Sequence, residues 1–126
     1  MADKIKGITV EIGGDVTPLA KALSALNKDI GSTQSELKKV ERLLKLDPGN
    51  TVLLAQKQEL LSKAVADTEK KVEALKAAKA KADADMANGT QINEKQYREL
   101  ERQIISGENS LSQLKSEAQR TEAALN

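Results

Sequence analysis

The sequence predicts an all-α protein in which three long helices pack as an antiparallel bundle or coiled coil, preceded by a short β-like arm. Strong helix formers such as Ala, Leu, Lys, Glu, Gln and Arg dominate its 126 residues. Aliphatic residues recur with alternating spacings of four and three, which is typical of heptads. Only 1% of the residues are aromatic, so the large side chains that usually fill a compact α/β core are scarce.

Residues 1–16 form the predicted extended arm. Ile8, Val10 and Ile12 fall on one face of it, with polar residues between them, which is the pattern of a half-buried strand. The glycines at 13–14 end this pattern. Because one strand is not stable alone, we expect the apolar face of the arm to need another chain's strand or a helical surface.

The remaining residues, 17–126, form the predicted helical region, with helices at about 18–46, 51–87 and 94–125. A proline or glycine marks the stops of the first two helices, and a threonine or asparagine that can cap the helix marks each start. These boundary residues are Thr17, Pro18, Pro48, Gly49, Asn50, Asn88, Gly89 and Asn93.

Each predicted helix carries one apolar stripe, called its seam below. We expect the seams to pack helix against helix, within one copy or between copies. A heptad stripe covers a narrow part of a helix, so apolar surface should remain for a partner and a homo-oligomer is predicted. The seam residues are Leu19, Leu23, Leu26, Ile30, Leu37, Val40, Leu44, Leu61, Val65, Val72, Leu75, Tyr97, Leu100, Ile104, Leu111 and Leu114.

Some residues do not follow this pattern or lie outside the seams. Lys79 and Gly107 occupy seam positions, and Gly107 predicts either a close helix contact or a kink. Opposite charges four residues apart are expected to pair on the outer faces. These pairs are Glu41–Lys45, Glu59–Lys63, Asp67–Lys71 and Glu94–Arg98.

The composition argues against most enzyme classes. The chain has no Cys and no His, which excludes disulfides, thiolate nucleophiles, Ser-His pairs and the usual zinc sites. Its net charge is +1, so no global field favours nucleic acid or an anionic membrane. It carries no membrane-length apolar run and no apolar signal-peptide core near its start. We therefore predict no enzyme activity, cofactor or metal site, and a protein that is cytosolic when made.

Candidate sites each have a simpler interpretation. The glycines at 13–14 lack the spacing of a phosphate-binding loop and fit a strand-to-helix turn. The lysine-rich stretch at 70–81 is interleaved with acidic residues and has no aromatic for base stacking, which favours a solvated helix face. Asp83 and Asp85 do not share a helical face, and Tyr97 sits at a seam position.

Five segments carry a more specific pattern: residues 5–15 (IKGITVEIGGD), 19–27, 40–50 (VERLLKLDPGN), 53–57 and 96–105. Together they resemble the N-terminal region of phage tail tape measure proteins of Gram-positive siphophages and related prophages. The resemblance covers nearly the whole chain, and residues 40–50 are its most specific part.

The resemblance implies that the chain is the N-terminal piece of a much longer structural protein. Such proteins are helical rods that occupy the phage tail lumen in several copies, and tail-tube subunits polymerise around them so that rod length sets tail length. It implies a virion location after synthesis in the host bacterial cytoplasm. The implied partners are further copies of the chain, tail-tube proteins and tail assembly proteins. The resemblance implies no catalytic residue, no cofactor, no specific binding of nucleic acid and no membrane contact for these residues.

The residues alone leave two other functions open. A cytosolic coiled-coil adaptor would bind a partner helix in a groove. A weak nucleic-acid binder would use the lysine-rich stretch at 70–81, and its binding would fall steeply with added salt.

Overall fold

The structure, a computed structural model, describes residues 17–89 and 91–126, with side-chain surroundings described from Lys21 onward. Its elements are α1 (Thr17–Leu46), α2 (Thr51–Ala87) and α3 (Glu94–Leu125). The all-α prediction is confirmed, and the described ranges contain no strand. The predicted arm, with Ile8, Val10 and Ile12, lies outside the described residues.

Two asparagines cap the starts of α2 and α3. The Asn50 side-chain oxygen accepts a hydrogen bond from the backbone N–H of Leu53 at 3.1 Å. Asn93 accepts one from the backbone N–H of Gln96, also at 3.1 Å. At the end of α2, Gly89 has a φ of +86°, the left-handed conformation that glycine adopts without steric cost. These local interactions fix where the chain turns.

The central helix is α2, because both α1 and α3 pack along it. Among the described residues, no Cα atom of α1 lies within 8 Å of a Cα atom of α3. Lys57, near the start of α2, pairs with Glu117, near the end of α3. Asp83, near the end of α2, binds Tyr97 at the start of α3. These contacts show that α2 and α3 run in opposite directions.

One apolar cluster of the core lies toward one end of the molecule. It joins Leu23 of α1, Leu75 and Ala78 of α2, and Leu100 and Ile104 of α3. Leu23, Leu75 and Leu100 are 0% exposed. All three helices therefore meet near the start of α1, the second half of α2 and the start of α3.

Apolar side chains at the opposite end remain exposed. Leu43, Leu46 and Val52 flank the turn at residues 47–50, and Leu46 is 84% exposed. Met86 and Ile105, near the end that holds the core cluster, are 41% and 60% exposed, so both ends of the helix assembly carry uncovered apolar surface.

Asp67 was predicted on an outer face, paired with Lys71, and this prediction is wrong. Asp67 is only 8% exposed, and its Oδ2 atom has no hydrogen-bond partner. The cause is that α2 is covered from two sides, so residues outside its single predicted seam are buried as well. Of the four predicted pairs, only Glu94–Arg98 forms an ion pair in the described part of the chain, at 3.3 Å.

Candidate helix-packing interface

The predicted seam residues divide into a buried group and a half-buried group. The buried residues are Leu23, Leu37, Val40, Leu61, Val72, Leu75, Leu100 and Ile104. The half-buried residues are Leu26, Ile30, Leu44, Val65, Tyr97, Leu111 and Leu114. The side chain of Leu19 lies outside the described surroundings. The buried group packs within a single copy of the chain, and the half-buried group leaves apolar surface accessible.

The interpretation of the sequence missed a second series of regularly spaced residues on α2. Ala64, Asp67, Lys71, Ala74 and Ala78 follow the same alternation of three and four. Each of them is buried or half-buried. The series consists of small and charged residues, so a search for large apolar side chains passes over it. Its regular spacing was the available signal that α2 packs on two sides.

Cross-helix ion pairs join α2 to α3. The Lys57 Nζ atom lies 2.7 Å from Glu117 Oε1, and Arg120 also donates to Glu117 at 2.6 Å. The remaining cross-helix pairs are Lys76–Glu108 at 3.0 Å and Lys115–Glu69 at 4.0 Å. Within the described ranges, no ion pair joins α1 to α2. Because the exposed pairs Lys76–Glu108 and Lys115–Glu69 add little stability, their main effect is to specify which residues of α2 and α3 face each other.

The pKa of the Glu117 carboxyl is held below its ordinary value. The largest cause is the hydrogen bond from Lys57, followed by the one from Arg120. Glu117 therefore stays ionised to lower pH than an isolated glutamate, which keeps this contact between α2 and α3 charged.

Three polar residues close the α2–α3 hairpin beside its turn, and they are called the hairpin clasp below. The Tyr97 hydroxyl donates to Asp83 Oδ1, and Lys79 Nζ donates to Asp83 Oδ2 at 3.3 Å. Lys79 Nζ also lies 5.4 Å from the centre of the Tyr97 ring, within cation–π range. Lys79, which does not fit the apolar seam, is thus explained by its contacts with Asp83 and Tyr97.

The clasp shifts the pKa values of its two acids in opposite directions. The Tyr97 hydrogen bond, and then Lys79, lower the pKa of Asp83. The hydrogen bond to Asp83 raises the pKa of Tyr97. Asp83 therefore stabilises the fold above its unfolded pKa of about 3.9, and this is lost as the pH falls through the folded pKa. Tyr97 stabilises the fold below about pH 10, and this is lost as the pH rises through its folded pKa.

We predict that Tyr97→Phe returns the pKa of Asp83 toward its ordinary value, since the hydroxyl is the largest cause of the shift. It should also abolish the alkaline loss of stability that Tyr97 contributes. A carboxyl NMR titration of Asp83 and thermal unfolding between pH 2 and pH 11 measure both effects. Arg98→Gln, which removes the exposed pair with Glu94 instead, is the matched control. An unchanged Asp83 pKa in Tyr97→Phe would contradict the clasp.

Gly107 marks a close helix contact, and α3 continues through it. A Cβ atom built on Gly107 would lie 2.9 Å from Cγ2 of Val72, whereas nothing lies within 4 Å of one built on Gly31. Val72 is β-branched and buried, so it has little freedom to rotate away. The absence of a side chain at Gly107 therefore lets α3 approach α2.

We predict opposite effects for alanine at these two glycines. Gly31→Ala should raise the free energy of unfolding by about 0.5–1 kcal/mol, because alanine is the better helix former. Gly107→Ala should gain nothing or lose up to about 2 kcal/mol, because displacing Val72 offsets the helix propensity. Urea unfolding of both variants measures the difference. An equal gain in both would show that α3 does not approach α2 closely at Gly107.

An open groove of about 860 Å³ runs between α1 and α3. Ile30, Leu37, Leu61 and Leu114 contribute apolar lining from all three helices. Lys71 also lines it, and burial lowers the pKa of its amine. The groove forms because α1 and α3 both pack on α2, while no Cα atom of α1 lies within 8 Å of a Cα atom of α3 among the described residues.

Amide side chains line both walls of the same groove. Asn27 and Gln34 lie on the α1 wall, and Gln103 and Gln113 lie on the α3 wall. An amide group both donates and accepts hydrogen bonds. The lining of the groove therefore combines apolar and amide side chains, of which Gln103 already donates a hydrogen bond to Glu99 at 3.3 Å.

The lysine-rich stretch at 70–81 is partly neutralised. Lys76 pairs with Glu108 and Lys79 pairs with Asp83. In the part of the chain that is described, no group of acidic side chains is placed to hold a metal ion. No helix there has an apolar stretch that would span a bilayer.

Comparisons with protein-family models, curated proteins and solved structures find no match to this chain.

Proposed function

We propose that this chain is a structural segment of a phage virion, the N-terminal helical region of a tail tape measure protein. The observation that carries the proposal is the resemblance of residues 5–15 and 40–50 to that family. Three long helices with charge-balanced surfaces are compatible with a rod enclosed by tail-tube subunits. The proposed site of action is the tail lumen, and the proposed role is a structural one without catalysis.

We propose that the helices form an antiparallel coiled coil through heptad seams. The α2–α3 ion pairs and the hairpin clasp support this arrangement. The half-buried seam residues, Leu26, Ile30, Leu44, Leu111 and Leu114, are the surface through which further copies would associate. Tail-tube and tail assembly proteins would contact the outer, charged faces.

The proposed mechanism is measurement by helix length. A helix rises about 1.5 Å per residue. At that rise, the 30, 37 and 32 residues of α1, α2 and α3 would span roughly 45, 55 and 48 Å. Their contribution to the rod depends on whether they stay folded back or extend in the tail. Tail length therefore reports both the function and the conformation.

The test is tail length, by electron microscopy, in phage whose full-length gene lacks residues 89–126 or carries them twice. An extended rod predicts tails shorter or longer by about 55 Å, at about 1.5 Å per residue. A smaller change in both variants indicates a ruler in which this region is folded back. Unchanged lengths in both variants overturn the proposal. If the deletion prevents tail assembly, the tail length of the phage that carries residues 89–126 twice decides between these outcomes.

One observation favours a cytosolic coiled-coil adaptor as the second candidate. Leu43, Leu46 and Val52 are exposed together beside the α1–α2 turn, where a partner helix could cover them. Tails of unchanged length, with capture of a defined partner helix at this end, would favour the adaptor.

A further inference from the structure

Different kinds of contact hold α1 and α3 to the central helix α2. On the α3 side, Lys57 pairs with Glu117 at 2.7 Å, and the Tyr97 hydroxyl donates to Asp83 near the turn of the hairpin. The cross-helix ion pairs and side-chain hydrogen bonds of the described ranges all join α2 to α3, and none reaches α1. The packing of side chains therefore holds α1 in place. Its buried residues are Leu23, Thr33, Leu37 and Val40.

The face of α2 that α1 covers carries a buried carboxylate. Asp67 lies five residues before Val72, which places it about 140° away around the helix at about 3.6 residues per turn. Val72 faces α3, where it lies against Gly107, and α1 is the other described helix that packs on α2. The Oδ2 atom of Asp67 has no hydrogen-bond partner. Contact between α1 and α2 therefore keeps this oxygen from water without replacing its hydrogen bonds.

Lys71 adds a second charged group to this face. It follows Asp67 by four residues, which is about one helical turn, and it lies in the groove beside α1. Its side chain is half-buried, and burial lowers the pKa of its amine. The ion pairs of the described ranges do not include Lys71. The contact between α1 and α2 thus takes two charged groups out of water, in whole or in part, without pairing them.

The turn at residues 47–50 adds little to the contact between α1 and α2. Leu43, Leu46 and Val52 flank the turn and are exposed, so they do not pack the two helices together at this end. Nothing lies within 4 Å of a Cβ atom built on Gly49, and glycine allows backbone conformations that other residues rarely adopt. The turn is therefore suited to act as a hinge.

We propose that α1 opens away from α2 at this turn, while α2 and α3 remain paired. In the open state Asp67 and Lys71 regain contact with water, and the ion pair between Lys57 and Glu117 stays formed. The open state also exposes the apolar side chains of α1, so the closed state remains the major one. This opening is a property of the chain itself and does not depend on a role in a phage tail.

The test is amide hydrogen exchange of the complete chain, measured for each residue by NMR and corrected for intrinsic exchange rates. A detached α1 is a single helix in water, so its amides lose most of their protection. The amides of Leu37 and Val40, away from the ends of α1, should exchange at least about ten times faster than those of Val72 and Ile104. Equal rates in all three helices would overturn the proposal, because the chain would then open only as one cooperative unit.

Two substitutions separate the opening of α1 from unfolding of the whole chain. Asp67→Ala should slow exchange in α1 by roughly five- to thirtyfold, since the closed state no longer buries an unpaired carboxylate. Glu73→Ala, at an exposed acid of the same helix, is the matched control and should leave exchange unchanged. Glu117→Ala should accelerate exchange in α3 and leave that of α1 unchanged, because it weakens the contacts between α2 and α3 equally in the closed and open states.

Either of two results with these variants would also overturn the proposal. Faster exchange of α1 in Glu117→Ala would show that α1 is released only when α2 and α3 separate. Unchanged exchange of α1 in Asp67→Ala would show that opening does not return this carboxylate to water.

Discussion

Leu75→Ala is expected to lower the free energy of unfolding by about 2–5 kcal/mol. Leu75 is 0% exposed and belongs to the one cluster that contains residues of all three helices. Alanine removes buried apolar atoms and leaves a cavity that α2 cannot close without moving both neighbouring helices. Since small domains are stable by only about 5–15 kcal/mol, this loss is a large fraction of the total.

Urea unfolding followed by circular dichroism measures this effect, with Leu46→Ala as its control. Leu46 is 84% exposed, so the same chemical change there should alter stability by no more than about 0.5 kcal/mol. A small effect of Leu75→Ala would mean that the three helices do not share a core at this end. A large effect of Leu46→Ala would mean that the apolar end beside the turn is covered in solution.

The helix boundaries could be predicted from sequence because they depend on local chemistry. Asn50 and Asn93 cap helices through contacts only three residues away, and Gly89 provides a left-handed backbone conformation. All the residues that form each of these caps lie within a few positions of one another in the sequence. The all-α fold followed from the same reasoning.

The relative placement of the helices could not be predicted in the same way. Heptad patterns show that a helix has a packing face, but not which helix will cover it. The gap between α1 and α3 depends on two separate faces of α2, one of which is marked by alanines and Asp67. The clasp joins Asp83 and Tyr97, whose pairing depends on the hairpin register. Such features depend on contacts between residues that are distant in sequence.

Asp67→Ala is expected to raise the free energy of unfolding by about 1–3 kcal/mol. Asp67 is 8% exposed, and its Oδ2 atom has no hydrogen-bond partner. Folding therefore removes this oxygen from water without replacing its hydrogen bonds, which costs free energy. Alanine removes that cost, is a better helix former, and matches the small residues Ala64 and Ala78 of the same series.

The change is measured as a shift in the urea midpoint, with Glu73→Ala as the control. Glu73 is an exposed acid of the same helix, so its replacement should change stability by less than about 0.5 kcal/mol. A loss of stability in Asp67→Ala would show that the carboxylate is paired in solution. That result would mean that a hydrogen-bond donor or a cationic group faces Asp67. A gain in the free energy of unfolding would instead show that Asp67 lowers the stability of the fold. It would then be worth testing whether this face of α2 is exposed in an assembled state.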